Sequence, residues 1–274
     1  MTKDAETLAT GICREFEKLD DVRAVALGGS AADAHSDGAS DIDLYVYATE
    51  EIPVPARNAI AAKFAAHIET GNTFFEPGDE WQDRATGIYA DIMYRRPQWI
   101  EDRLDSVLVR HEACTGYTTC FWHNVRMSRI LFDRDGWLAG LKERADRPYP
   151  PDLRRAIIAK NYPLLKDTIS SYFRQTEKAL RRRDSVSVNH RVAAFLASYF
   201  DVLFAVNGLT HPGEKKLRDY AARNCPLLPK DFDADFQALF APGDTGGANL
   251  LAALSRLAEN LRPLLEYTAP CSGE

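Results

Sequence analysis

Cysteine is scarce and unpatterned in this chain. Cys13, Cys114, Cys120, Cys225 and Cys271 form an odd set with no Cys-x-x-Cys pair, which argues against both a disulfide framework and a cysteine-held zinc site. No apolar run reaches the length of a membrane-spanning helix. The first residues also lack the apolar stretch of a signal peptide; Leu8, Ile12, Phe16 and Leu19 recur there at helical spacing among acids, as in an amphipathic helix. A reducing, cytoplasmic setting fits these absences. Positive charge is not in excess either. A net charge of -6 over 274 residues has the wrong sign for sequence-independent nucleic-acid binding, which needs many Lys and Arg against phosphates. Stable DNA binding is therefore disfavoured, and the basic run Arg181-Arg182-Arg183 reads as a solvated helix end. There is no internal repeat. What is present, 45% hydrophobic residues, suffices for one large core or two medium ones.

The most informative stretch runs from Gly28 to Tyr47. Ala24-Val25-Ala26-Leu27 and Leu44 to Tyr47 are apolar and strand-like, and they hold between them a polar loop beginning Gly28-Gly29-Ser30 and ending Ser40-Asp41-Ile42-Asp43. Side chains alternate along a strand, so Asp41 and Asp43 share one face while Ile42 and Leu44 point into packing. Like charges that close repel unless a cation lies between them. Oxygen-only ligands suit Mg²⁺, which usually keeps waters and takes phosphate oxygens as its remaining ligands. At the other end of the loop, glycines permit close backbone approach to an anion, Ser30 adds a hydroxyl, and the residues after it can open a short helix whose N–H groups face a phosphate.

Gly-Gly-Ser, a ten-residue polar insert, then Asp-Ile-Asp-Leu and an apolar strand resembles the core motif of the polymerase β nucleotidyltransferase superfamily, the group that includes aminoglycoside and lincosamide nucleotidyltransferases. The resemblance implies a third carboxylate on a later strand. Asp91, alone in the apolar run Gly87-Ile88-Tyr89-Ala90-Asp91-Ile92-Met93-Tyr94, is the candidate, since an unpaired charge there is costly without a metal or a partner. Pairing with Arg95 or Arg96 is the other reading of Asp91. The resemblance also implies an α+β architecture. Residues 1–147 would form a nucleotidyltransferase catalytic domain, a mixed β-sheet flanked by helices, and residues 148–274 a C-terminal α-helical bundle. The boundary is set at Pro148-Tyr149-Pro150-Pro151, where clustered prolines can continue neither helix nor central strand.

Between the two acidic stretches the spacing predicts a helix from Ala56 to His67, then a strand over Thr73 to Trp81 ending in an acidic turn. Glu76, Asp79 and Glu80 fall there. Glu76 is the first choice of general base for an acceptor hydroxyl, although Pro77-Gly78-Asp79-Glu80 reads equally as a surface turn. Pro97 to Leu108 is helical in pattern, Tyr117 to Trp122 is rich in strand formers, and Ile130 to Asp133 is a short strand. His111 and His123 read as hydrogen-bonded packing residues.

Helical periodicity dominates after Leu153: Ile157, Ile158, Leu164, Leu165, Ile169 and Phe173, then Val192, Phe195, Leu196, Tyr199, Phe200, Leu203 and Phe204. One segment stands out. Asn207-Gly208-Leu209-Thr210-His211-Pro212-Gly213 ends a helix and turns, and Glu214-Lys215-Lys216 is expected to open the next. Lysines in a first turn oppose the helix dipole. Lys215 or Lys216 is therefore a candidate for the triphosphate, with Asn207 and His211 shaping the turn; a solvated helix start is the alternative. The segment is similar to the helical C-terminal region of bacterial nucleotidyltransferase-like proteins.

The expectation assembled from these residues is nucleotidyl transfer from ATP or another nucleoside triphosphate to a hydroxyl acceptor, a small molecule favoured. Asp41, Asp43 and Asp91 would hold two Mg²⁺ ions, with Gly29, Ser30 and Ser40 on the nucleotide. Nucleotidylation of a protein or tRNA, and nucleotide binding without turnover, remain open alongside it.

Overall fold

A computed structural model describes residues 2–28, 41–74, 76–241 and 247–266. Two compact units divide the chain. The first comprises 1–105 and 124–147, and the second 106–123 and 148–274.

The first unit is built on a six-stranded sheet. Helix α1 (Lys3–Phe16) starts at Thr2, whose side chain accepts from the Ala5 N–H, and carries Asp4 and Glu6 in its first turn, where acids suit the dipole. Then come β1 (Val22–Gly28), β2 (Ile42–Ala48), α2 (Val54–Phe64), β3 (Ala65–Asn72), β4 (Gly78–Asp83), β5 (Tyr89–Arg95), α3 (Pro97–Leu108), α4 (Cys120–Met127), β6 (Arg129–Asp133) and α5 (Trp137–Ala145). The strand order is β3-β4-β5-β2-β1-β6. Only β2 and β5 pair in parallel; the remaining neighbours are antiparallel. Central strands covered on both faces become nearly continuously apolar, which is the pattern of β1 and β2. One face, through Val25, Leu27, Leu44, Val46, Ile92 and Trp81, packs with Leu8, Ile12 and Phe16 of α1 and with Ile60 and Ala61 of α2. Part of the opposite face is roofed by aromatics: Tyr47 meets Trp137 edge-on at 5.2 Å, and the Arg95 guanidinium lies 5.5 Å from the Trp99 ring.

The second unit is helical: α6 (Pro151–Leu165), α7 (Tyr172–Arg181), α8 (Ser185–Asn207), α9 (Leu217–Asn224), α10 (Phe232–Leu239) and α11 (Ala248–Glu266). Helix α8 is its axis. From Phe195 to Val206 nearly every side chain is buried, as expected of a helix that is apolar all round. Phe200, Phe204 and Phe236 join Leu254, Leu257 and Leu261 in its core.

Several elements differ from the sequence expectation. The helix expected to reach His67 stops at Phe64, and Ala65–Asn72 is an edge strand whose side chains are mostly exposed. Half-exposed edge strands lack the apolar alternation that announces a strand. Thr73, Phe74, Glu76 and Pro77 belong to neither strand, and the expected turn at Gly78-Asp79-Glu80 lies inside β4. Tyr117 to Trp122 leads into helix α4 rather than a strand, because tertiary contacts of Thr118 and Thr119 override the local preference. Ile169 lies outside the helices and is 91% exposed.

The stretch 106–123 is tied to the helices of its own unit by polar groups. Asn161 (0% exposed) accepts from the Gly116 N–H at 2.9 Å and donates to the Cys114 carbonyl at 2.9 Å. Asp201 accepts from the Thr118 N–H at 3.1 Å and its hydroxyl at 2.6 Å. The His211 N–H donates to Thr119 Oγ1 at 2.8 Å, and the His123 ring meets the Thr210 hydroxyl at 2.8 Å. Among the described residues no helix is long and apolar enough to cross a membrane.

Candidate active site on the sheet face

The parallel pairing of β2 with β5 decides the geometry. It sets Asp43 directly beside Asp91, flanked by the buried pairs Ile42 with Ala90 and Leu44 with Ile92. Adjacent strands lie about 4.8 Å apart, and residues in register project from the same face. Two half-buried carboxylates thus stand side by side over an apolar floor. Asp41, exposed, precedes β2 by one residue.

The row extends across the sheet. Gly28 at the end of β1 is in register with Asp43, Glu80 of β4 with Asp91, and Glu69 of β3 with Glu80. Glu80 belongs to β4 and not to a turn, exposed between buried Asp79 and buried Trp81. Asp79 points to the opposite face. There it pairs with Arg57 at 3.2 Å and accepts from the Tyr94 hydroxyl at 2.6 Å and the Gly71 N–H at 2.8 Å, so its role is structural. Burial, reinforced by the Asp79 charge, holds the Tyr94 phenol far above its usual range.

Glu76 is not brought to the carboxylate pair. It forms a two-pronged ion pair with Arg95, at 2.9 Å to Nε and 2.8 Å to Nη2. Arg95 lies four residues beyond Asp91 on the same strand face, a separation of about 13 Å at 3.3 Å per residue. A carboxylate engaged by a buried guanidinium is a poorer base for an acceptor hydroxyl than one without such a partner.

Gly29, Ser30 and Ser40 lie outside the described residues. Lys215 and Lys216 do not open a helix: they form an exposed turn, and Lys216, at a φ of 54°, is the residue before α9. Asn207 bonds the N–H and the carbonyl of Leu227 at 2.8 and 2.9 Å, not the 208–216 turn. His211 accepts from the Gly213 N–H through Nδ1 at 3.2 Å, and burial drives its pKa down to about 3.

Among the described residues no three His, Cys, Asp or Glu side chains are gathered closely enough to hold a metal by themselves. The Asp43 and Asp91 carboxylates nevertheless fit Mg²⁺ chemically. They offer hard oxygen donors on one face, and this ion characteristically uses one or two carboxylates and completes its shell with water and phosphate.

No protein-family model matches the sequence, and no curated protein does. Among solved structures the chain is similar to a nucleotidyltransferase-like protein from Exiguobacterium sibiricum, at 13% identity over 96% of this chain and 74% of the other, TM-score 0.43. It is similar to the Thermotoga maritima CCA-adding enzyme complexed with tRNA, at 12% identity over 100% and 85%, TM-score 0.35. It is also similar to an Enterococcus spectinomycin adenyltransferase solved with ATP and spectinomycin, at 11% identity over 96% and 100%, TM-score 0.34. These are nucleotidyltransferases. At such identity and superposition, the chemistry of this chain rests on its own side chains.

Proposed function

We propose that the chain is a Mg²⁺-dependent nucleotidyltransferase that moves a nucleoside monophosphate, AMP from ATP, to a hydroxyl of a small acceptor with release of pyrophosphate. The observation that carries this reading is the in-register placement of Asp43 and Asp91 on one face of adjacent parallel strands. Asp43 and Asp91 would hold the metal, and Asp41, one residue before β2, would approach it when the ion is bound. When bound, Mg²⁺ neutralises triphosphate charge and acidifies the acceptor hydroxyl. The acceptor oxygen bonds to the α-phosphorus as the bond from that phosphorus to the bridging oxygen breaks, and pyrophosphate leaves. The proton goes to Glu80, whose place opposite Asp91 makes it a better candidate base than Glu76. Gly28 ends β1 beside Asp43, and Gly29, Ser30 and Ser40, which follow in sequence before β2, are assigned to the nucleotide. Positioning and charge neutralisation supply most of the rate, as in other phosphoryl transfers.

Incubation of the pure protein with Mg²⁺ and α-labelled nucleoside triphosphates, with and without cell metabolites, tests the reading. Label appearing on a small metabolite with stoichiometric pyrophosphate supports it. Label on a protein or tRNA redirects the acceptor, and bound but unconverted nucleotide overturns the enzymatic reading. Asp43→Asn and Asp91→Asn should each lower the rate by at least roughly 100-fold, the scale of losing one electrostatic stabiliser, with the thermal midpoint nearly unchanged. Glu76→Gln should retain the pH profile of turnover that Glu80→Gln loses.

A further inference from the structure

Gly28 has a buried neighbour that fixes its identity. A Cβ at this position would lie 2.3 Å from Cε2, 2.5 Å from Cζ and 2.7 Å from the hydroxyl oxygen of Tyr45. The glycine is thus required by a side chain lying against it. Tyr45 is in register with Ala26, and Asp43 with Gly28, so the ring leans along the sheet face from its own partner toward the neighbour of the catalytic carboxylate.

The other side of the ring is occupied as well. The Arg95 guanidinium lies 4.1 Å from the Tyr45 ring centroid, within cation–π range. Arg95 is in turn gripped by both oxygens of Glu76. Tyr45 and Arg95 are 5% and 6% exposed, so the stack is desolvated, where such contacts are strongest. Burial chiefly raises the Tyr45 phenol; Arg95 pulls it down, and the Asp43 charge adds to the rise. The hydroxyl therefore stays protonated within the field of Asp43.

We infer that Tyr45 is a positioning residue of the nucleotide site: its ring, clamped between the Gly28 backbone and the Glu76-held Arg95 guanidinium, seats the end of β1 beside Asp43. This rests on the proposed nucleotidyl transfer and extends it from the acids to the surface beneath them. It also gives Glu76 a different part, since an exposed connection holds the arginine that holds the ring. Contact with the ring, rather than with its hydroxyl, is what the clamp requires.

Size compensation tests the inference. Gly28→Ala, Tyr45→Leu, Tyr45→Phe, Glu76→Gln and the double variant Gly28→Ala/Tyr45→Leu are compared for Mg²⁺–ATP affinity by titration calorimetry, for KM and kcat of pyrophosphate release, and for thermal midpoint. Gly28→Ala and Tyr45→Leu should raise the nucleotide KM on the order of 10- to 100-fold, the scale of displacing a site by about an ångström. Tyr45→Phe should stay near the native value, and Glu76→Gln should fall between. The double variant should bind nucleotide more tightly than Gly28→Ala alone, because the colliding ring is gone. A native protein that turns nucleotide over while Gly28→Ala and Tyr45→Leu keep its KM overturns the clamp and leaves the enzymatic reading standing. Equal loss in Tyr45→Phe and Tyr45→Leu also overturns it, since the hydroxyl would then be the operative group. A native protein that neither binds nor converts any nucleoside triphosphate overturns both.

Discussion

Asp201 shows how much a single buried carboxyl can be asked to do. It accepts two hydrogen bonds from Thr118 and one from Asn161 at 3.3 Å, yet burial still lifts its pKa from 3.8 to about 7. The folded chain therefore binds this proton more tightly than the unfolded one. Its stabilising contribution is complete below the unfolded value and is lost as pH rises through the folded one. The adjacent Cys120 thiol, pushed to about 12, and the Tyr149 phenol, pushed higher by burial, do not titrate in that interval. His211, whose pKa burial holds near 3, contributes a slope of the opposite sign below about 6.5, so the measure is the difference between the two proteins: the native thermal midpoint relative to that of Asp201→Asn should fall from pH 4 toward pH 7, and a constant difference would remove Asp201 as a source of pH dependence. Residues of this kind were invisible in the sequence, where Asp201 is one acid near the middle of an apolar run. Asp43 and Asp91 were legible because their setting is local: each interrupts an apolar strand, and alternation alone assigns its face. Gly28 was legible as a glycine but not for its reason, which is a ring arriving from the neighbouring strand.

Among the elements, those with strong internal periodicity could be read directly: α1, α3, α8 and the strands β1, β2 and β5 are apolar in patterns their own residues dictate. The hairpin of β3 and β4 could not. Its outer strand is exposed, and its inner one owes its position to Trp81 and to the Asp79 pairing with Arg57, contacts that no window of sequence contains. The same holds for 106–123, whose place depends on Asn161 and Asp201 of two later helices. Asn161→Ala would strand the buried Gly116 N–H, while the exposed Cys114 carbonyl keeps the Thr118 hydroxyl at 3.4 Å. At roughly 1–3 kcal/mol for one unsatisfied buried group, a loss of about that size is expected in chemical denaturation. Gly116→Ala should be worse tolerated than an average glycine replacement: its φ is +79°, and a Cβ there would come within 2.8 Å of the Ala197 methyl and 3.1 Å of its backbone carbon. Denaturation midpoints of the two variants check both statements.

At the scale of the whole molecule, proline clustering near 148 marks one passage between the units, but the chain also passes between them after 105 and after 123. Those two passages carry no composition signal, since α3 and α4 run through them without a break. Cutting at the proline cluster therefore does not separate two self-sufficient halves. A fragment of residues 1–147 retains 106–123 while losing Asn161, Asp201 and Thr210, and it should be cleaved by protease within that stretch long before the intact protein is. Equal resistance of fragment and full chain would show that the stretch needs no helical partner.

That connectivity has a consequence for synthesis. Thr118 leaves the ribosome 83 residues ahead of the Asp201 that satisfies it. At about 5–20 residues per second, the nascent chain must carry this length without its partner for roughly 4–17 s. Through that interval Thr118 and Cys120 lack the Asp201 and His211 they meet in the fold, so this short run is where a chaperone would first be needed.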